Sequence, residues 1–227
     1  YLLEPARLRW ADNTPESDVF DDIYWHRDHA VQEKQFVFVD SVKQHLAQHS
    51  EHQQGRFQYT IAELGFGTGL NLLTAWSEWE ASGQKGPLRF TSFEAFPMAA
   101  EDMQRALESF PELHPWSSRF LAHWTGRTCT LESLQFEVVI GDARKTLPNW
   151  DGMADAWFLD GFSPAKNPEL WGVGLMQDVA NHTVTGGTAA TYTAAGFVRR
   201  GLESAGFNVT RTPGFGRKRH MTRARKA

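Results

Sequence analysis

The stretch Tyr59-Thr60-Ile61-Ala62-Glu63-Leu64-Gly65-Phe66-Gly67-Thr68-Gly69-Leu70-Asn71-Leu72-Leu73 decides the fold. Residues 59–64 are apolar or β-compatible except for Glu63, and read as a short strand. Leu72, Leu73 and Trp76 fall on one face of a following helix. Between strand and helix stand three glycines at alternate positions. With no Cβ, they let the backbone turn sharply and approach a ligand closely. The unpaired N–H groups of the helix then face that ligand. A tight turn without a ligand carries the same local signature, since glycine is the default turn residue. Two features favour a nucleotide-like ligand. The turn sits between a strand and a helix, as such a site requires. A second acidic strand end, Arg89-Phe90-Thr91-Ser92-Phe93-Glu94, places Glu94 25 residues beyond Gly69, about where a ribose-holding carboxylate falls.

The turn is not the dinucleotide fingerprint Gly-x-Gly-x-x-Gly, because Leu70 stands where its third glycine would be. That disfavours an NAD-linked oxidoreductase. The form Glu-x-Gly-x-Gly-x-Gly instead resembles the first motif of S-adenosylmethionine-dependent methyltransferases. The resemblance implies S-adenosylmethionine beside Glu63, Gly65, Gly67, Thr68, Gly69 and Asn71.

From residue 59 onward strand and helix patterns alternate. Strands are expected at 59–64, 89–94, 136–141, 154–160 and 187–193. Helices are expected near 69–81, 98–109, 167–182 and 194–205. The alternation predicts an α/β, Rossmann-like core at 56–227, with a mainly parallel sheet and helices on both faces. A C-terminal antiparallel hairpin fits 208–211 and 220–223. Residues 1–55 form a small N-terminal extension, with strand candidates Leu8-Arg9-Trp10 and Phe36-Val37-Phe38-Val39 and a helix over 42–52. Its segment Phe20-Asp21-Asp22-Ile23-Tyr24-Trp25 reads either as a surface turn pinned by Phe20 and Tyr24 or as a flap over the ligand, with Asp21, Asp22 and Tyr24 as the flap residues.

Ligands in open parallel sheets bind at the carboxyl ends of the strands. The informative residues therefore follow each strand. The third strand delivers Gly141-Asp142-Ala143-Arg144, with Asp142 placed to accept from an adenine amino group and Ala143 beside it. The fourth delivers Asp160-Gly161-Phe162-Ser163-Pro164, and the fifth Tyr192-Thr193-Ala194-Ala195. Acids at three successive strand ends beside a glycine turn point to one nucleotide-like site.

Composition narrows the partners. The 227 residues suit one domain with a small extension. No apolar run is long enough to span a bilayer, so no membrane is expected. Tyr1-Leu2-Leu3-Glu4-Pro5 is not a signal peptide, and the missing initiator Met implies that earlier residues are lacking. The single cysteine, Cys129, excludes an intrachain disulfide and paired-cysteine zinc sites, which favours a cytoplasmic protein. His45, His49 and His52 recur at near-helical spacing without a carboxylate–histidine zinc signature, so no metal is expected. From residue 196 to the end there are nine Lys or Arg and one acid, Glu203; the first 195 residues carry fourteen against twenty-six acids. A basic end on an acidic body points to an anionic partner.

Further blocks carry a closer resemblance. They are Glu63-Leu64-Gly65-Phe66-Gly67-Thr68-Gly69-Leu70-Asn71, Ser92-Phe93-Glu94-Ala95-Phe96-Pro97, and Trp157-Phe158-Leu159-Asp160-Gly161-Phe162-Ser163-Pro164-Ala165-Lys166-Asn167-Pro168. Ala195-Gly196-Phe197-Val198-Arg199-Arg200-Gly201-Leu202 and Gly214-Phe215-Gly216-Arg217-Lys218-Arg219 join them. Together they resemble the tRNA 5-methylaminomethyl-2-thiouridine biosynthesis methyltransferases: the N-terminal methyltransferase domain of MnmC and its stand-alone MnmD-like counterparts. The resemblance covers nearly the whole chain, and the block around Asp160 is its most specific part. It implies a tRNA methyltransferase that converts a 5-aminomethyl group on the wobble (2-thio)uridine to 5-methylaminomethyl, with the anticodon region of tRNA as partner. The bifunctional form carries a second, FAD-dependent oxidase domain. This chain has no second glycine-rich fingerprint, so no FAD is expected in it. It is either stand-alone or cut from a longer protein.

The chemistry assigns roles. An aliphatic ammonium titrates near pH 10, so the acceptor amine must lose a proton before its lone pair can attack. Asp160 is the catalytic candidate that orients the amine and helps remove that proton. Phe162 and Pro164 would wall the target base. Lys166, Arg199, Arg200, Arg217, Lys218 and Arg219 are candidates for tRNA phosphate contacts. Two rivals share the scaffold: an aminopropyltransferase-like enzyme acting on a small amine, and a non-catalytic RNA-binding module. The first gives no reason for the basic end, and the intact acids Glu94, Asp142 and Asp160 argue against the second.

Overall fold

The structure is a computed structural model describing residues 4–26, 28–49 and 58–227. The chain opens with a three-stranded antiparallel sheet of β1 (Leu8–Ala11), β2 (Thr14–Ser17) and β3 (Asp22–Ile23). A short helix α1 (Ala30–Lys34) continues through a π-helical turn, Gln35–Val39, into α2 (Asp40–His49). The core then runs β4 (Thr60–Leu64), α3 (Leu70–Ala81), β5 (Leu88–Glu94), α4 (Ala100–Leu107), α5 (His114–His123), β6 (Thr128–Leu131), β7 (Leu134–Ile140) and α6 (Ala143–Thr146). It ends with β8 (Ala154–Leu159), α7 (Val173–Asn181), β9 (Thr183–Thr191), α8 (Gly196–Ser204), β10 (Phe207–Pro213) and β11 (His220–Lys226).

These last eight strands make one sheet in the order β10-β11-β9-β8-β4-β5-β7-β6. The central five, β9, β8, β4, β5 and β7, are parallel. The β10–β11 hairpin closes one edge in antiparallel sense and β6 closes the other. The expected α/β, Rossmann-like architecture with its C-terminal hairpin is therefore present. Both faces of the sheet are buried, which explains why its central strands read as nearly continuous apolar runs. On β8, Phe158 packs with Leu72 and Trp76 of α3, while Trp157 and Leu159 turn to Met176, Val179 and Leu202 of α7 and α8. Each such burial contributes roughly 1.5–3 kcal/mol.

Three regions differ from expectation. The strand expected at 36–39 is the π-helical turn. Val37, Phe38 and Val39 are all buried, and Phe38 lies 5.1 Å from the Phe158 ring. Alone, β-branched and aromatic residues favour a strand. Here packing against α3 and β9 overrides that preference, and the wide turn buries three consecutive side chains. Secondly, α5 and β6 have no counterpart in the sequence reading. Only Ser117 and Phe120 of α5 are buried, too few for a helical stripe. Thirdly, the helix expected over 167–182 is split: a 3-10 turn at Pro168–Trp171, an extended Gly172, then α7. The helix expected over 42–52 begins at Asp40, and residues 50–52 lie outside the described residues.

The chain leaves β4 toward β5 and β7, then returns on the other side of β4 to β8. That reversal opens a crevice at the carboxyl ends of β4 and β8, where open α/β sheets hold their ligands.

Candidate active site

A cavity of about 370 Å³ occupies this crevice. Its floor begins with the glycine turn. Gly65, Gly67 and Gly69 have φ of +87°, +55° and +81°, all in the left-handed region. Space is as restrictive as backbone conformation. A Cβ on Gly65 would stand 2.9 Å from the Asp160 carbonyl oxygen, and one on Gly67 would stand 3.0 Å from the Tyr24 ring. Gly69 is the N-cap of α3.

Glu94 ends β5 and lines the cavity. Its carboxylate accepts from Gly67 N at 3.1 Å and Phe96 N at 2.8 Å, tying the first strand end to the second. Burial pushes its pKa up, while backbone N–H groups pull the other way. Asp142 follows β7 and caps α6 by accepting from Arg144 N at 3.0 Å. It also holds the Arg144 guanidinium at 2.7 Å, which keeps its carboxyl below the usual range. Arg144 reaches Glu169 at 3.1 Å as well, joining the loops after β7 and β8. Thr68, Asn71 and Ala143 also line the cavity.

Asp160, just after β8, stands in a network that the sequence did not reveal. Its Oδ2 accepts from Lys34 Nζ at 2.5 Å and Asn71 Nδ2 at 2.8 Å, and its Oδ1 accepts from Gly161 N at 3.0 Å. Asn71 Nδ2 also donates to Glu63 Oε1 at 2.8 Å, and Ser92 Oγ donates to Glu63 Oε2 at 2.7 Å. The parallel register of β4 and β5 pairs Glu63 with Ser92. Glu63 is fully buried, and desolvation pushes its pKa up to about 8. It supports the site from beneath and does not line the cavity. Lys34 lies 126 residues from Asp160 in the chain, and no local pattern marks it.

The N-terminal extension supplies the opposite wall. Val19, Phe20, Ile23 and Tyr24 line the cavity. Phe20 stacks on Phe162 at 4.9 Å, and Tyr24 meets the same ring edge-on at 5.1 Å. Asp22 accepts from Ser163 N at 2.9 Å. Asp21 pairs with Arg9 at 2.5 Å and with Lys166 at 3.6 Å. The segment 20–24 thus sits against the loop after β8, with Phe20, Asp21, Asp22 and Tyr24 as its contacts.

The basic residues of the C-terminal part are not gathered into the cavity. Lys218 pairs with Glu33 at 2.6 Å and lies over the Tyr192 ring at 4.5 Å. Arg223 donates to Phe36 O, and Lys226 to the carbonyls of Ala180 and Thr183. Much of the basic charge therefore fastens the extension and α7 to the hairpin. Arg199 donates to Ala194 O, while Arg200, Arg217 and Arg219 are exposed. Pro164 lies partly buried outside the cavity wall.

A sequence model of the S-adenosyl-L-methionine-dependent methyltransferases matches residues 111–227. The chain is 40% identical over 232 aligned residues to the tRNA 5-methylaminomethyl-2-thiouridine biosynthesis bifunctional protein MnmC of Chromobacterium violaceum, covering 96% of this chain and 34% of that protein. It is 42% identical over 225 residues to the protein of the same name from Pseudomonas paraeruginosa, covering 95% and 34%. It thus spans about a third of the length of these curated relatives. Among solved structures, MnmC2 from Aquifex aeolicus superposes with a TM-score of 0.70 at 27% identity, covering 97% of this chain and 70% of that one. With the parallel sheet, the glycine turn and the acidic strand ends already in place, these matches identify the chain as a member of the S-adenosyl-L-methionine-dependent methyltransferase family.

Proposed function

We propose that the chain methylates the primary amine of 5-aminomethyl-(2-thio)uridine at the wobble position of tRNA, giving the 5-methylaminomethyl base. The observation that carries this reading is Asp160. Its Oδ2 is filled by two donors, while Oδ1 accepts only the Gly161 N–H among the described residues. A carboxylate oxygen has two acceptor positions. One remains for an N–H of the acceptor amine.

The residues fit the family's cofactor. The glycine turn has no room for a Cβ, the cavity matches the size of a small-molecule site, and Asn71 Oδ1 is a buried acceptor without a partner among the described residues. Glu94 would take the ribose hydroxyls, Asp142 and Ala143 would flank the adenine, and Thr68 and Asn71 would line the methionine end. S-adenosylmethionine supplies a methyl group already activated by its positive sulfur. The chain's own work is to position the amine, orient its lone pair and exclude water. Asp160 orients the amine through Oδ1 and stabilises the positive charge that nitrogen gains. Phe20, Phe162 and Tyr24 would grip the flipped base, and Arg200, Arg217 and Arg219 would meet tRNA phosphates.

The relatives' name and the specific block around Asp160 support a tRNA acceptor. In the cell the chain would work in the cytoplasm, beside or fused to an FAD-dependent oxidase. No helix among the described residues is long and apolar enough to cross a membrane. The reading is tested with methyl-labelled S-adenosylmethionine and two acceptors: bulk tRNA lacking this modification, and a small diamine. Label in the tRNA alone is expected. Consumption of the cofactor with the diamine alone would move the chain to the small-amine reading.

A further inference from the structure

The ammonium of Lys34 lies where an acceptor amine would be expected to compete for Asp160. It comes from α1 in the extension, is buried with only 9% exposure, and rests 5.6 Å above the Phe38 ring. Asn71 shares the same oxygen from α3. Together they fill Oδ2 and fix the carboxylate plane, so that substrate is left with Oδ1.

Charge gives the arrangement its consequence. An unpaired carboxylate would hold an alkylamine as its ammonium, which has no lone pair for attack. The groups that face this corner are Glu63 beneath Asn71, Glu33 beside Lys34, Asp22 of β3, which accepts from Ser163 N on the loop after β8, Glu94 across the floor, and Tyr192, whose hydroxyl donates to Gly161 O. Glu33 is already neutralised by Lys218, and burial keeps Glu63 protonated over much of the neutral range. Lys34 is the cation that balances Asp160.

We propose that Lys34 is a positioning residue: it neutralises Asp160, closes Oδ2, and so makes the site bind its acceptor as a neutral amine through Oδ1. The inference rests on the amine-methylating function proposed above. It assigns the N-terminal extension a part in selecting the protonation state of the substrate, beyond covering the cavity.

The test compares the wild type with Lys34→Met and Lys34→Arg. In Lys34→Met the bound amine keeps its proton to higher pH. The acidic limb of the kcat–pH profile should therefore move up by about one pH unit, kcat at pH 7 should fall about tenfold, and KM should not rise. Lys34→Arg should restore the limb. A fall in kcat by the same factor at every pH would overturn the proposal, as would a limb that does not move. A second measurement needs no substrate. Acetylation of the protein with acetic anhydride, read by peptide mass analysis, should find Lys34 protected in the wild type and reactive in Asp160→Asn. Equal reactivity in both would overturn the lock. If the wild type methylates no tRNA, the proposed acceptor fails. The acetylation result still decides whether Lys34 closes Asp160.

Discussion

The two walls of the cavity are built in different ways. The floor comes from three strand ends of the parallel core: the glycine turn, Glu94 and Asp142. Each lies within a contiguous motif, and hydrogen bonds such as Gly67 N to Glu94 join neighbouring strands. The roof comes from residues within the first fifty, and at the site it meets the core through contacts distant in sequence. Lys34 meets Asp160, Asp22 meets the Ser163 N–H, and Glu33 meets Lys218 across 126, 141 and 185 positions. The floor suits a cofactor common to a large family. The roof, with its aromatic cluster and buried lysine, suits the acceptor proposed above.

Asp160 belongs to both walls, so its loss should have the largest effect. Asp160→Asn keeps the shape and removes the charge. It should lower kcat by about 10²–10⁴-fold and lower the melting temperature, because the buried Lys34 ammonium loses its carboxylate, while cofactor affinity stays close to wild type. Turnover near the wild-type rate would detach Asp160 from the chemistry.

Glu94→Ala probes the floor alone. Charge-assisted hydrogen bonds contribute roughly 1.5–3 kcal/mol each, so calorimetry should show S-adenosylmethionine bound about ten- to a hundredfold more weakly. The acidic limb of the kcat profile should stay where it is. Movement of that limb would mean the two walls are not separable.

Glu63→Gln should show beneath the floor as pH-dependent stability. The folded state holds the Glu63 proton up to about pH 8, against an ordinary value of 4.5. Between those values the folded chain binds more protons than the unfolded one, so this group's contribution to stability falls as pH rises. Gln carries no such proton. The melting temperature of the variant relative to wild type should therefore rise from pH 5 to pH 8. A constant difference would mean that Glu63 is ionised throughout.

The smallest effect is expected outside both walls. Arg217→Ala with Arg219→Ala should weaken tRNA binding and reduce the slope of log affinity against log salt by up to about two. Lys218 is left intact because it pairs with Glu33. Superimposable salt titrations would place the phosphate contacts elsewhere.

The same contrast explains what the sequence could reveal. The floor was legible because its residues follow strands whose apolar runs and glycine turn are local signals. Gly65, Gly67, Glu94, Asp142 and Asp160 are all marked as strand-end residues by the sequence alone. The roof was not. Phe36-Val37-Phe38-Val39 carries a strand's composition, but tertiary packing winds it into a π-helical turn. Lys34 sits in an ordinary short helix, and only folding brings it to Asp160. Lys218 and Arg223 read as part of an anion-binding end, yet one neutralises Glu33 and the other donates to the Phe36 carbonyl. Net charge counts residues without regard to the partners that folding gives them.

The most direct test of the account uses two synthetic anticodon stem-loops that differ only at the wobble base, one bearing 5-aminomethyl-2-thiouridine and the other uridine. Each is incubated with the chain and S-adenosylmethionine, then digested for nucleoside mass analysis. The first loop is expected to convert completely to 5-methylaminomethyl-2-thiouridine, and the second is expected to stay unchanged. Methylation of both loops, or of neither while a small amine is methylated, would contradict it.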